Sequence, residues 1–386
     1  MNKLLRLDDY APIRLWMKAN MLIHFVKYLP PPFDDLHYSF YEKYMRGVDK
    51  KLPQDALTLR VFMKFAPQDL SHMFVNLEVP EKIKTEATKY VRLLKAATLR
   101  RISGLPWMEA STKAAALRKA HAMRFQVAFP EKWESETGRL TMDARRPLLN
   151  LLSLSVADTK NMIDDLLHLT CAKRPSKWRD GAFEVNAYYY PEGNMMTIPA
   201  GILRPPFFDT SRSDGWNLGS IGVAISHEIT HGFDEDGRHF DAEGNYADWW
   251  TASDERTYKQ MSRAMIDLFE GQKYMGGKVD GKLTLNENLA DIGGMAIALE
   301  ALKAILPKDA AAQKAAYRDF FLGFAVSWRQ KDRPKKARQA LLLDVHAPPY
   351  YRVNLIVRQF EEFYTAFDIK QGMKGYLAPD ERITFW

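Results

Sequence analysis

Apolar positions recur at spacings of three and four over most of the chain, the signature of amphipathic helices packed by one face. The spacing predicts helices over 13–28, stopped by Leu29 and Pro30-Pro31-Pro32, then over 54–76, 80–102 and 112–128, the last opened by Ser111 or Thr112 and ended near Pro130. The 80–102 segment is well patterned, with Ile83, Ala87, Tyr90, Val91 and Leu94 on one side. A polar, Pro- and Gly-containing stretch at 172–181 then interrupts the helical period. Two runs rich in strand formers follow, 183–190 and 195–198, joined by Pro191-Glu-Gly-Asn194 as a hairpin loop; Pro199 makes the second run short or an edge strand. Helical periodicity resumes over 217–234, closed by Gly237, and over 251–271, 284–305, 309–330 and 351–369. The pattern predicts a mainly α protein with a small β-sheet (α+β). At 386 residues it predicts two units, a helical lobe over 1–172 and a second domain over 173–386.

Composition narrows the class. Hydrophobic residues at 46% and charged residues at 27% fit a globular protein that buries a sizeable core. The net charge of +7 comes from basic residues scattered in small groups; the densest late cluster, Arg333-Pro-Lys-Lys-Ala-Arg338, has no interleaved aromatics. It reads as a solvated face, and no nucleic-acid partner is expected. Cys171 is the one cysteine, so no intrachain disulfide forms, which fits a reducing compartment. The first ten residues lack the form of a signal peptide, and no run approaches a membrane span, so the expected location is cytoplasmic.

Chemistry concentrates in His227-Glu-Ile-Thr-His231. On a helix the two histidines lie one turn apart on one face and can reach a single ion, while Glu228 is placed to act on water beside it. Ile221, Ile225 and Ile229 form an opposed apolar stripe. The ion this suggests is zinc, which needs a third protein ligand and an open position. Glu287 is the candidate. Asp291, one turn on, could accept from the ring N–H of a ligating histidine. Alternatively, Thr284 and Glu287 form a capping box with no metal. Gly293 and Gly294 favour the ligand reading, since paired glycines destabilise a helix unless another element approaches closely there.

Six motifs in order, Asn186-Ala-Tyr-Tyr189, Pro199-Ala-Gly-Ile-Leu203, His227-Glu-Ile-Thr-His-Gly-Phe-Asp234, Asp248-Trp-Trp-Thr251, Glu287-Asn-Leu-Ala-Asp291 and Asp344-Val-His346-Ala-Pro348 with Arg352, resemble the neprilysin family of zinc metallopeptidases. The resemblance is dense over 183–369 and looser before it. It implies a thermolysin-like zinc-peptidase domain beside a partial helical lobe, holding one Zn2+ by His227, His231 and Glu287. Glu228 would be the general base, His346 the oxyanion donor steadied by Asp344, and Asp291 the residue orienting His227. Asn186 and the backbone of Ala187 would hold an oligopeptide along the sheet edge, and Arg352 would grip it on the leaving-group side. Ile202, Phe207 and Trp328 match the pocket for a bulky apolar side chain just after the cut.

The chain also departs from that family. It begins partway through the helical lobe, which leads to the expectation of uncovered apolar helix faces and of a homodimer or partner chain completing the lobe. Ser226 stands where glycine is usual, Leu355 follows Asn354 where glycine is common, and Ser327 beside Trp328 is more polar than the family's usual residue.

Overall fold

The computed structural model describes residues 10–167 and 178–386. The lobe before the gap contains α1 (Ala11–Phe25), α2 (Phe33–His37), α3 (Gln54–Phe65), α4 (Pro67–Glu78), α5 (Ile83–Gly104), α6 (Ala110–Ala122), the strand β1 (Arg124–Ala128) and α7 (Pro147–Leu167). After it come β2 (Tyr188–Tyr190), β3 (Met195–Pro199), α8 (Asp214–Asn217), α9 (Val223–His231), α10 (Ala252–Phe269), β4 (Lys273–Tyr274), β5 (Gly277–Lys278) and α11 (Leu285–Lys303). The chain closes with α12 (Ala310–Ser327), α13 (Pro334–Leu343), α14 (Pro349–Asn354) and α15 (Glu361–Phe367). The mainly helical architecture with small sheets is the one expected. The segment read as the domain boundary falls largely on 168–177, outside the described residues, as does Cys171.

Four expected elements differ. The 54–76 helix is broken at Ala66, where Pro67 supplies no N–H and Ala66 leaves the helical region. The 112–128 helix ends at Ala122, and Arg124–Ala128 instead pairs in parallel with β3. Its start also differs. Helix α6 begins at Ala110, and the Glu109 N–H donates to Asp254 Oδ1 at 3.0 Å, so neither Ser111 nor Thr112 is the cap. The 351–369 helix is divided: α14 ends at Asn354, Val357–Gln359 form a 3-10 turn, and Phe360 is extended before α15. Only Tyr188–Tyr190 of the 183–190 run is paired, antiparallel to β3. The order β1-β3-β2 puts the second run in the centre of the sheet, with Pro199 at its last residue, where the missing N–H breaks no ladder. Strand β2 is left as an edge.

One large core joins Ile83, Leu94 and Ala116 of α5 and α6 to Ile198, Ile225, Ile297 and Phe324 of the later elements. A smaller cluster of Phe25, Phe65 and Leu154 ties α1, α3 and α7 together. Around it α1 exposes Leu15, Trp16, Met21 and Leu22, and α7 exposes Met162 and Leu166. No helix among the described residues is long and apolar enough to cross a membrane.

Candidate metal centre and active site

Helix α9 is positioned by an apolar stripe that begins in the turn before it: Ile221, Ile225 and Ile229 are buried against the core, leaving His227, Glu228 and His231 on the other side. Helix α11 lies along it so closely that a Cβ on Gly294 would sit 2.7 Å from the His227 amide nitrogen, and one on Gly293 would sit 2.6 Å from Thr230 Cγ2. That approach brings Glu287 under the histidines. The Thr284 hydroxyl donates to the Asp280 carbonyl and accepts from Asn288 Nδ2, so Thr284 and Glu287 form no capping box.

Each histidine is aimed by its own carboxylate. His227 Nδ1 lies 2.9 Å from Asp291 Oδ1, and His231 Nδ1 lies 2.7 Å from Asp234 Oδ2. An ionised carboxylate only accepts, so each Nδ1 carries a proton and each Nε2 faces inward, where it can offer a lone pair to a metal once any second proton is displaced. The two Nε2 atoms are 3.0 Å apart; Glu287 Oε2 is 3.1 Å from that of His227, and Oε1 is 3.7 Å from that of His231. Donors about 2.0–2.2 Å from a tetrahedral ion are separated by about 3.3–3.6 Å. Glu287 Oε2 is buried without a well-aligned hydrogen-bond donor. Two imidazole nitrogens and a buried carboxylate oxygen facing one point fit a zinc ion, and the donor set is one zinc accepts. Glu228 lies in the same cluster as the two histidines.

The electrostatics describe a site poised for a cation. Burial opposes charging His227, yet its contacts with Asp291 and Glu287 carry its pKa up to about 10 in the metal-free chain. Burial also works against ionising Glu287, but His227 and His346 hold its carboxyl well below the usual range. Burial pushes Glu228 up, with His231 and His227 pulling the other way. Asp291 is buried; burial raises its pKa, and Arg352 more than reverses this by donating from Nε and Nη2, both at 2.7 Å. Because the metal-free chain holds a proton on His227 below about pH 10, zinc must displace it. Lowering the pH therefore favours the metal-free form. Apparent zinc affinity should fall about tenfold per pH unit for each proton displaced. Competition with a chromophoric chelator at two pH values would read this, and a pH-independent affinity would contradict it.

The other sequence candidates are placed as follows. His346 Nε2 is 3.1 Å from Glu287 Oε2, and its Nδ1 is 2.8 Å from Asp344 Oδ1; both His346 and Asp344 are about half exposed. Asn186 is exposed and Ala187 buried immediately before the edge strand β2. Arg352 is only 4% exposed, is committed to Asp291, and lies 4.0 Å over the Trp328 ring. Ile202 is in the core. Phe207 lines a cavity of about 360 Å³ with Phe74, Phe183 and Val185, in which neither Ile202 nor Trp328 takes part. Asp234 had no assigned role in the sequence reading. Its position three residues after His231, in the turn just past the end of α9, is the signal that marks it.

Comparison with known proteins identifies the family. Two family models, each described as peptidase family M13, match residues 186–383 and 1–130. The chain belongs to peptidase family M13. It is 32% identical over its whole length to a neutral endopeptidase of Lactobacillus helveticus, and 30% identical over 335 residues, 82% of the chain, to human neprilysin. It spans 58% of the first protein's length and 44% of the second's. Among solved structures, Mycobacterium tuberculosis zinc metalloprotease Zmp1 in complex with inhibitor superposes with a TM-score of 0.87 at 28% identity, over 94% of this chain and 56% of that one. PepO from Lactobacillus rhamnosis HN001 gives 0.86 at 31%, over 96% and 57%.

Proposed function

We propose that the chain is a zinc endopeptidase that hydrolyses oligopeptides, with His227, His231 and Glu287 as the metal ligands. The observation that carries this reading is the convergence of two carboxylate-aimed imidazole nitrogens and the buried Glu287 carboxylate on one point, with Glu228 beside them. Zinc held there would supply Lewis-acid activation of water and of the scissile carbonyl. Glu228, its pKa raised by burial, takes a proton from the attacking water and delivers it to the leaving amine nitrogen. Protonated on both ring nitrogens, a form favoured because Glu287 raises its pKa, His346 donates from Nε2 to the oxyanion developing on the carbonyl oxygen and from Nδ1 to Asp344.

The unpaired edge of β2 receives the peptide as an added strand, with Asn186 and Ala187 at its start. Asp291 orients His227, and Arg352 pairs with Asp291 and, by the family resemblance, would also grip the peptide on the leaving-group side. Preference for a bulky apolar residue just after the cut rests on the family resemblance alone, since Ile202 is packed in the core and Trp328 lies outside the cavity that Phe207 lines. Removal of metal tests the reading. Chelation should abolish cleavage of an oligopeptide mixture and a stoichiometric zinc supplement should restore it, whereas cleavage that persists in metal-free protein would contradict it.

A further inference from the structure

The buried face of α6 is formed by Thr112, Ala116, Lys119 and Ala120, a helical stripe that contains one charged residue. Lys119 is 1% exposed, and among the described residues no carboxylate lies within ion-pair distance of its ammonium. Such burial is costly unless hydrogen bonds and nearby charge compensate it. Burial lowers its pKa to about 7, while Asp234 and Asp241 oppose the drop. The Tyr189, Phe233 and Trp249 rings surround the Nζ at 5.9, 5.6 and 5.9 Å.

Two carbonyls accept from this ammonium, Gly237 O at 2.6 Å and Phe240 O at 2.7 Å. Both belong to the turn that follows α9. That turn is wedged against the end of the metal-site helix, since a Cβ on Gly237 would lie 1.8 Å from the His231 carbonyl oxygen. The same turn sends two N–H groups, those of Asp236 at 3.0 Å and Gly237 at 2.8 Å, to Oδ1 of Asp234. The other oxygen of Asp234 aims His231. Gly237 is thus gripped on its carbonyl side by Lys119 and grips Asp234 on its amide side.

We propose that Lys119 is a positioning residue of the metal centre, holding the turn at Gly237 and Phe240 so that Asp234 keeps His231 directed at the ion. The relay rests on the zinc reading above, and runs from a helix of the first half of the chain to a ligand more than a hundred residues later. A brace needed only for folding has no reason to act through Asp234, and this separates the two roles.

The test is a double-mutant cycle on zinc affinity, read by chelator competition on protein shown to be folded by circular dichroism. Zinc binding by the unaltered chain is measured first and reports on the metal reading alone. Lys119→Met, which keeps the apolar stem, and Asp234→Asn should each weaken zinc binding about tenfold or more, the range found for groups behind a ligand. The double variant should bind within about twofold of Asp234→Asn, because the lysine acts through the carboxylate already removed. Losses that multiply in the double variant, or an unchanged zinc affinity in Lys119→Met, would overturn the proposal. Lys119→Gln, which retains a donor without charge, carries the same cycle where the methionine variant does not fold. Failure of both to fold while Asp234→Asn folds would assign Lys119 to folding alone and overturn it equally.

Discussion

Glu228→Gln should retain zinc and lose about 10²–10⁴ of the peptide-cleavage rate, the usual contribution of a positioned general base. The substitution keeps size and shape, and Glu228 donates no ligand atom in this reading, so His227, His231 and Glu287 still converge. What disappears is the carboxylate that accepts water's proton. Burial holds the pKa of this carboxylate above that of an ordinary glutamate, which makes it a better base and, once protonated, a competent acid toward the leaving nitrogen. A variant that keeps zinc and wild-type kcat would remove Glu228 from the mechanism. One that loses zinc would make it a ligand.

Asp291→Asn should be costly in two separate ways. Asp291 is fully buried and receives both the His227 ring N–H and a bidentate guanidinium from Arg352, itself 4% exposed. Removing one member of a buried ion pair leaves an uncompensated charge, which costs about 3–5 kcal/mol. The amide also ceases to dictate the tautomer of His227, so zinc affinity should fall about 10–100-fold. Denaturant unfolding of the metal-free chain reads the first effect and chelator competition the second. Wild-type stability in the metal-free form would contradict the first, and wild-type zinc affinity the second.

Much of this was legible from local pattern. The helix carrying the two histidines, the opposed isoleucine stripe, the hairpin at Pro191–Gly193 and the close approach at Gly293 and Gly294 are consequences of spacing and turn chemistry. The parts that were not legible depend on partners distant in sequence. Arg124–Ala128 alternates weakly and continues a helical run, and only pairing with Met195–Pro199 makes it a strand. The extended backbone at Phe360 interrupts an otherwise helical pattern with no proline or glycine to announce it. Pro67 was legible in principle, as a helix break at Ala66. Arg352 reads from sequence as a substrate grip, and only the fold reveals the bidentate pair with Asp291. Lys119 lies on the buried stripe of α6, but its role depends on a turn more than a hundred residues later.

The central claim is that these residues make a peptide-cleaving zinc site, and product mapping tests it most directly. Zinc-loaded chain incubated with synthetic peptides of graded length, followed by mass spectrometry, should give internal cleavage with a bulky apolar residue immediately after each cut, absent after chelation. Intact peptides after incubation with folded, zinc-loaded protein, or the same products at the same rate from Glu228→Gln, would contradict it.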